Sequence, residues 1–165
     1  MTQFICGGEK YQYGSRTIGI PVAVSNLPSE IEVEKYKLFA KTEFHTSLVY
    51  AGRIADKYGF VSSDFEQKVV ADFCEYTTVH SIEFVRFTGE FRFVDKEDKK
   101  TVVAMCEVLN LTGFIDLLNT KYSLKLKYPP THVTLFTLQP NVGVFLIDGE
   151  DLQESTKIIP APVKL

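Results

Sequence analysis

The sequence predicts an α+β fold with a largely antiparallel sheet. Three observations carry this expectation: β-prone runs are joined by short turns, a few segments show helical periodicity, and strands and helices do not alternate regularly.

Taken in chain order, the N-terminal stretch with Tyr11 and Tyr13 near Gly7, Gly8 and Gly14 reads as an irregular arm. Arg16 to Val24 reads as a strand, in which Ile18, Ile20 and Val22 alternate with other residues until Pro21 disturbs the pattern. After Pro28, Ser29 and Glu32 stand at capping-box spacing and predict a short helix through Phe39. Phe44 to Tyr50 is apolar and β-rich and runs into a turn at Gly52. Ser63 and Glu66 form a second capping box, and Phe65, Val69, Val70, Phe73 and Tyr76 then recur at helical spacing.

Ile82–Phe87 and Phe91–Val94 are β-prone runs joined through Gly89, and the charged turn Asp95–Lys100 leads to a third run, Thr101–Val108. Phe114, Ile115, Leu117, Leu118 and Tyr122 predict an amphipathic helix that must end before Pro129 and Pro130. Thr131–Leu138 and Val142–Ile147 read as strands joined through Gln139, Pro140 and Asn141, and the tail after Asp151 reads as an irregular surface segment.

At 165 residues, 45% of them apolar and 24% charged, the chain fits a single domain, 1–165, that can be built as two lobes around a continuous core. Its three cysteines, Cys6, Cys74 and Cys106, are scattered and odd in number, which speaks against a disulfide framework and against a zinc site. A reduced, cytoplasmic setting is expected. There is neither a signal-peptide pattern nor an apolar run of membrane-spanning length, so no membrane partner is expected.

The net charge of −3 argues against a broad clamp on long nucleic acid, because such binding needs basic surface. Charge is nevertheless uneven. Leu117–Ile147 holds Lys121, Lys125 and Lys127 with no carboxylate, and Phe44–Ala55 is likewise free of acidic residues and carries Arg53. Two acid-free windows suit a local anion site.

Only three histidines are present, and two begin nearly the same string: His45-Thr46-Ser47-Leu48 and His132-Val133-Thr134-Leu135. Residues two apart on a strand share a face, so His45 points with Ser47, and His132 points with Thr134 and Phe136. An imidazole can hold or release a proton near neutral pH, and a neighbouring hydroxyl can donate to a phosphate oxygen. Two such pairs facing one cleft could flank a single phosphorus. Alternation turns Tyr50 away from His45, and Phe136 could stack on a base or ribose at the cleft edge, core packing being the plainer account.

His80 lacks a hydroxyl residue two positions on and is assigned a structural role. Lys121, Lys125 and Lys127 read first as a solvated face. Gly7-Gly8 lacks the lysine and hydroxyl of a phosphate loop, and no third ligand is spaced with either histidine for a metal.

The paired strings resemble the two-histidine (2H) phosphoesterase superfamily, which is defined by two separated His-x-Thr/Ser motifs, each followed by an apolar residue. The resemblance covers both motifs and their wide spacing, with Ser47 standing where threonine is commoner. It implies a bilobal, pseudo-twofold α+β fold with a cleft between antiparallel sheets. It also implies that His45 and His132 are the catalytic pair, that Ser47 and Thr134 bind phosphate, and that no metal or other cofactor takes part. The implied substrate is a nucleotide or short RNA end, carrying a 2′,3′-cyclic phosphate, a 2′-5′ linkage or a cyclic oligonucleotide bond, acted on by a monomer. A nucleotide-binding module on the same scaffold, without turnover, is the alternative.

Overall fold

The computed structural model describes residues 1–165. In chain order the elements are β1 (Thr2–Cys6), β2 (Glu9–Gly14), β3 (Thr17–Pro21), β4 (Glu30–Val33), β5 (Tyr36–Ala40), β6 (His45–Val49), α1 (Ala51–Tyr58) and α2 (Ser62–Val79). There follow β7 (Phe84–Lys96), β8 (Lys99–Val108), α3 (Leu111–Tyr122), β9 (His132–Thr137), α4 (Gly149–Ser155) and β10 (Thr156–Ile159). Every strand pairing is antiparallel, and the ten strands form one sheet flanked by helices, which is the α+β class expected.

Several elements differ from the sequence expectation, each for a local reason. The supposed N-terminal arm is the hairpin β1–β2, turned through Gly7 and Gly8 at φ +59° and +86°. It is ordered by Tyr11, which is fully buried, donates from its hydroxyl to the Ile82 carbonyl at 2.7 Å, and meets Phe73 edge-on. The supposed helix after Pro28 is the hairpin β4–β5; Glu34 and Lys35 both take positive φ at its turn, and Leu38 is its fully buried anchor.

Gly52 does not end a strand in a turn but lies in the first turn of α1. A Cβ there would stand 2.5 Å from the Arg16 side chain, so glycine admits Arg16, which pairs with Asp56 and Glu66. The second capping box goes unused: α2 starts at Ser62 without a side-chain cap, and Ser62 Oγ instead donates to Glu66 at 2.5 Å. Gly89 (φ +89°) sits in an irregularity within one long strand, β7, rather than between two. Val142–Ile147 forms no strand, and the tail carries α4, capped by the Asp148 carboxylate, followed by β10 on the edge of β7.

Along the sheet the order is β1-β2-β3-β6-β9-β8-β7-β10. The two sides of its centre repeat one plan. A hairpin, β2–β3 or β7–β8, pairs through its second strand with the strand that carries a His-x-Ser/Thr string. Both string-bearing strands also carry a bulge at the same place. Ile18 and Gly19 pair with Val49 and Ser47, leaving Leu48 unpaired; Val102 and Val103 pair with Phe136 and Thr134, leaving Leu135 unpaired.

The larger core lies under α1, α2 and α3, where Phe73 and Phe114 meet edge-on at 5.3 Å. A second core lies beneath β7, β8 and β9, around Phe91, Phe93, Val102 and Phe136. Cys6 and Cys74 are joined in a disulfide that ties β1 to α2, contrary to the expectation of unpaired thiols; partners 68 residues apart carry no spacing signal. Cys106 is free and buried. No helix is long and apolar enough to cross a membrane.

Candidate functional site

The site is built on the two central strands. β6 and β9 meet through one residue pair, Thr46 with Val133, the residues that follow the two histidines. Extending this antiparallel register by one residue each way sets His45 opposite Thr134 and Ser47 opposite His132. All four side chains therefore lie on one face, while Thr46 and Val133 point into the core. Thr46 is fully buried there and accepts a hydrogen bond from Cys106 Sγ at 3.7 Å.

Diagonal neighbours across an antiparallel pair stand roughly 7–8 Å apart. A phosphate group fits between two imidazoles so placed. His45, Ser47, His132 and Thr134 all line one cleft of about 460 Å³. Its wall also includes Gln12, Thr17 and Gly19 and the 141–145 segment. A Cβ at Gly19 would press on the Thr46 carbonyl at 3.0 Å and stand 3.6 Å from His45 Cδ2, so glycine leaves room for the ring.

The two histidines differ in their surroundings. His132 is 5% exposed, and its Nδ1 lies 2.8 Å from the Pro130 carbonyl. A carbonyl only accepts, so Nδ1 carries the hydrogen and Nε2 is left free to accept or deliver a proton. Burial lowers the pKa of His132, opposed by the Pro130 hydrogen bond and by Asp151 and reinforced by Lys41. His45, half-buried, has a pKa lowered to about 4 by burial, by the Lys41 charge and by His132 itself. Both rings are thus neutral in the empty cleft at pH 7.

Lys41 was not marked by any motif, yet it lines the cleft and acts on both imidazoles. It lies just beyond β5, where its backbone N–H donates to the Leu135 carbonyl at 2.9 Å, and burial lowers its own pKa. It makes no ion pair, which leaves its charge available to an anion. The only signal in the sequence was its position four residues before His45.

Two expectations require correction, and both fail through the same bulges. Phe136 does not reach the cleft: with Leu135 unpaired, alternation restarts, and Phe136 turns with Val102 into the second core, fully buried. Tyr50 does not turn away. The bulge at Leu48 returns it toward the side of Ser47, and its hydroxyl donates to the Leu146 carbonyl at 3.2 Å. His80 meets the Tyr76 ring at 5.0 Å, tilted by 36°, and lies outside this cleft.

No group of three His, Cys, Asp or Glu side chains is placed to hold a metal ion. The four strand residues and Lys41 offer two proton-transfer groups, two hydroxyl donors and one cation around a space of phosphate size. Comparison with protein-family models, with curated proteins and with solved structures finds no match to this chain.

Proposed function

We propose that this protein is a metal-independent phosphodiesterase of the two-histidine type, acting on a nucleotide or RNA-end phosphodiester. The observation that carries the reading is the pairing of Thr46 with Val133, which sets His-x-Ser against His-x-Thr across the centre of the sheet. The shared order of the two halves, and the bulge that follows each motif, support the bilobal pseudo-twofold architecture that the resemblance implies.

In this reading the phosphorus sits between the imidazoles. One neutral imidazole removes the proton from the attacking oxygen, of water or of a ribose hydroxyl, as its bond to phosphorus forms. The other, protonated, delivers its proton to the departing oxygen as that bond breaks. Ser47, Thr134 and Lys41 meet the charge on the equatorial oxygens. The asymmetry of the site supports one division of roles. Burial lowers the pKa of both rings, but the Pro130 hydrogen bond and Asp151 favour a proton on His132 and no such partner does so on His45, so in this reading His132 serves as the acid and His45 as the base. Arrival of an anionic phosphate raises both pKa values.

The test is hydrolysis, in the presence of a chelator, of 2′,3′-cyclic mononucleotides, 2′-5′ oligoadenylates and cyclic dinucleotides, with products identified by ³¹P NMR. Turnover of at least one class that is lost in both His45→Ala and His132→Ala is expected. Binding by calorimetry with no turnover of any class would replace this reading with that of a nucleotide-binding module.

A further inference from the structure

A second pocket, of about 500 Å³, lies behind the catalytic cleft and shares none of its lining residues. It is floored by apolar side chains, among them Leu48, Ile54, Ile115 and Leu126. Five cations surround it, Arg53, Lys57, Lys96, Lys125 and Lys127, against two carboxylates, Asp148 and Asp151; the local sum of +5 and −2 is +3 in a chain whose net charge is −3.

Pairing removes part of this excess. Lys96 is matched by Asp151 at 2.7 Å, and Lys127 approaches Glu150 at 3.6 Å. The Asp148 carboxylate is occupied by the Asp151 backbone N–H at 2.9 Å, as the cap of α4. Arg53, Lys57 and Lys125 make no ion pair. The first two lie one turn apart on α1, so they share a face, and Lys125 reaches the same pocket from the extended stretch after α3. Arg53 rests its guanidinium over the Phe145 ring at 4.4 Å, which fixes the plane and leaves its edge free for two parallel hydrogen bonds to an oxyanion.

Three unpaired cations converging from two elements suit a ligand with more than one negative charge. An apolar floor beside them suits a ligand that also carries a flat apolar group, and the volume is within the range of small-molecule sites. We infer that this pocket binds a nucleotide through its diphosphate, as a site separate from the histidine cleft. The wall between the two is thin. Phe145 lines the cleft and carries Arg53, and Tyr50 lines the second pocket, meets Phe145 edge-on at 5.4 Å and touches Ser47.

Calorimetric titration with ADP, in chelator and low salt, tests the site without any reference to turnover. One equivalent should bind to the wild-type chain and equally to His45→Ala/His132→Ala. Affinity should fall at least tenfold in Lys57→Glu/Lys125→Glu and severalfold in Lys57→Gln/Lys125→Gln, both pairs being exposed positions whose exchange leaves the melting temperature unchanged. Wild-type affinity in both lysine variants, loss of binding in the double histidine variant, or no binding at millimolar ADP would overturn the inference. The far end of an oligonucleotide held in the cleft presents the same chemistry as a free nucleotide. If that is the source, ADP displaces a 2′-5′ triadenylate from the double histidine variant; if the nucleotide is separate, both remain bound, and either result upholds the pocket.

Discussion

The half-site around His45 and the half-site around His132 share a strand register and a bulge, yet they surround their imidazoles differently. His132 is nearly enclosed and tied through Nδ1 to Pro130, whereas His45 has no side-chain hydrogen-bond partner and is only partly buried. Backbone pairing creates the symmetry; the residues outside the strands break it. A fold can therefore supply two equivalent groups, and a single carbonyl placed beside one of them can make their surroundings unequal.

The comparison breaks most sharply where either imidazole is removed. His45→Ala and His132→Ala should each lower kcat/KM by about 10² to 10⁴, the range for a general acid or base. The double variant should lose little more than either single variant, since the two act as a unit. Fully additive losses in steady-state assays would show two independent groups instead.

Next in size are the hydroxyls. Ser47→Ala and Thr134→Ala should each cost on the order of 10² in kcat, the scale for one oxyanion donor. Near-equal losses would extend the equivalence of the half-sites to their phosphate contacts, and a large inequality would confine it to the backbone.

Lys41→Gln sharpens the comparison through pH. The Lys41 charge lowers the pKa of both histidines, so its removal raises both. The kcat/KM profile of the wild-type protein should be a bell with its optimum below pH 6.5, between the two lowered values, and in Lys41→Gln that optimum should move to higher pH. An unmoved optimum would place Lys41 outside the site.

Stability carries a smaller and separable effect. His45 has its pKa lowered from 6.5 to about 4 on folding, so between these values the unfolded chain takes up a proton that the folded one refuses. Stability contributed by the neutral ring is present above pH 6.5 and is lost as pH falls toward 4. At about 1.4 kcal/mol per pKa unit, the full loss is roughly 3 kcal/mol. Denaturant unfolding at pH 7 and pH 4.5 should show the wild-type protein losing more stability over this interval than His45→Gln does. The smallest effect on turnover belongs to Phe136→Leu, which should lower the melting temperature and leave KM unchanged, as suits a core residue.

Much of the site was legible because its residues recur. The two strings, their strands and the helices from Phe65 and Phe114 follow from periodicity and survive in the structure. What was hidden depends on contacts between distant segments. The bulges at Leu48 and Leu135 reverse alternation, and nothing in a single strand announces them, so strict alternation places Phe136 and Tyr50 on the wrong faces. Gly52 reads as a turn because its role is to admit Arg16 from the turn between β2 and β3. Lys41, the Cys6–Cys74 disulfide, and the tail pairing of β10 with β7 depend equally on tertiary approach.

The most direct test of the account is the titration of His45, followed by ¹⁵N NMR on histidine-labelled protein, in the wild-type chain and in His132→Gln. If the two rings share one site, His45 titrates at about 4 in the wild-type protein and moves upward when the His132 ring is removed. A His45 pKa near 6.5, or one that ignores the loss of His132, would contradict the placement of both imidazoles around a single phosphate.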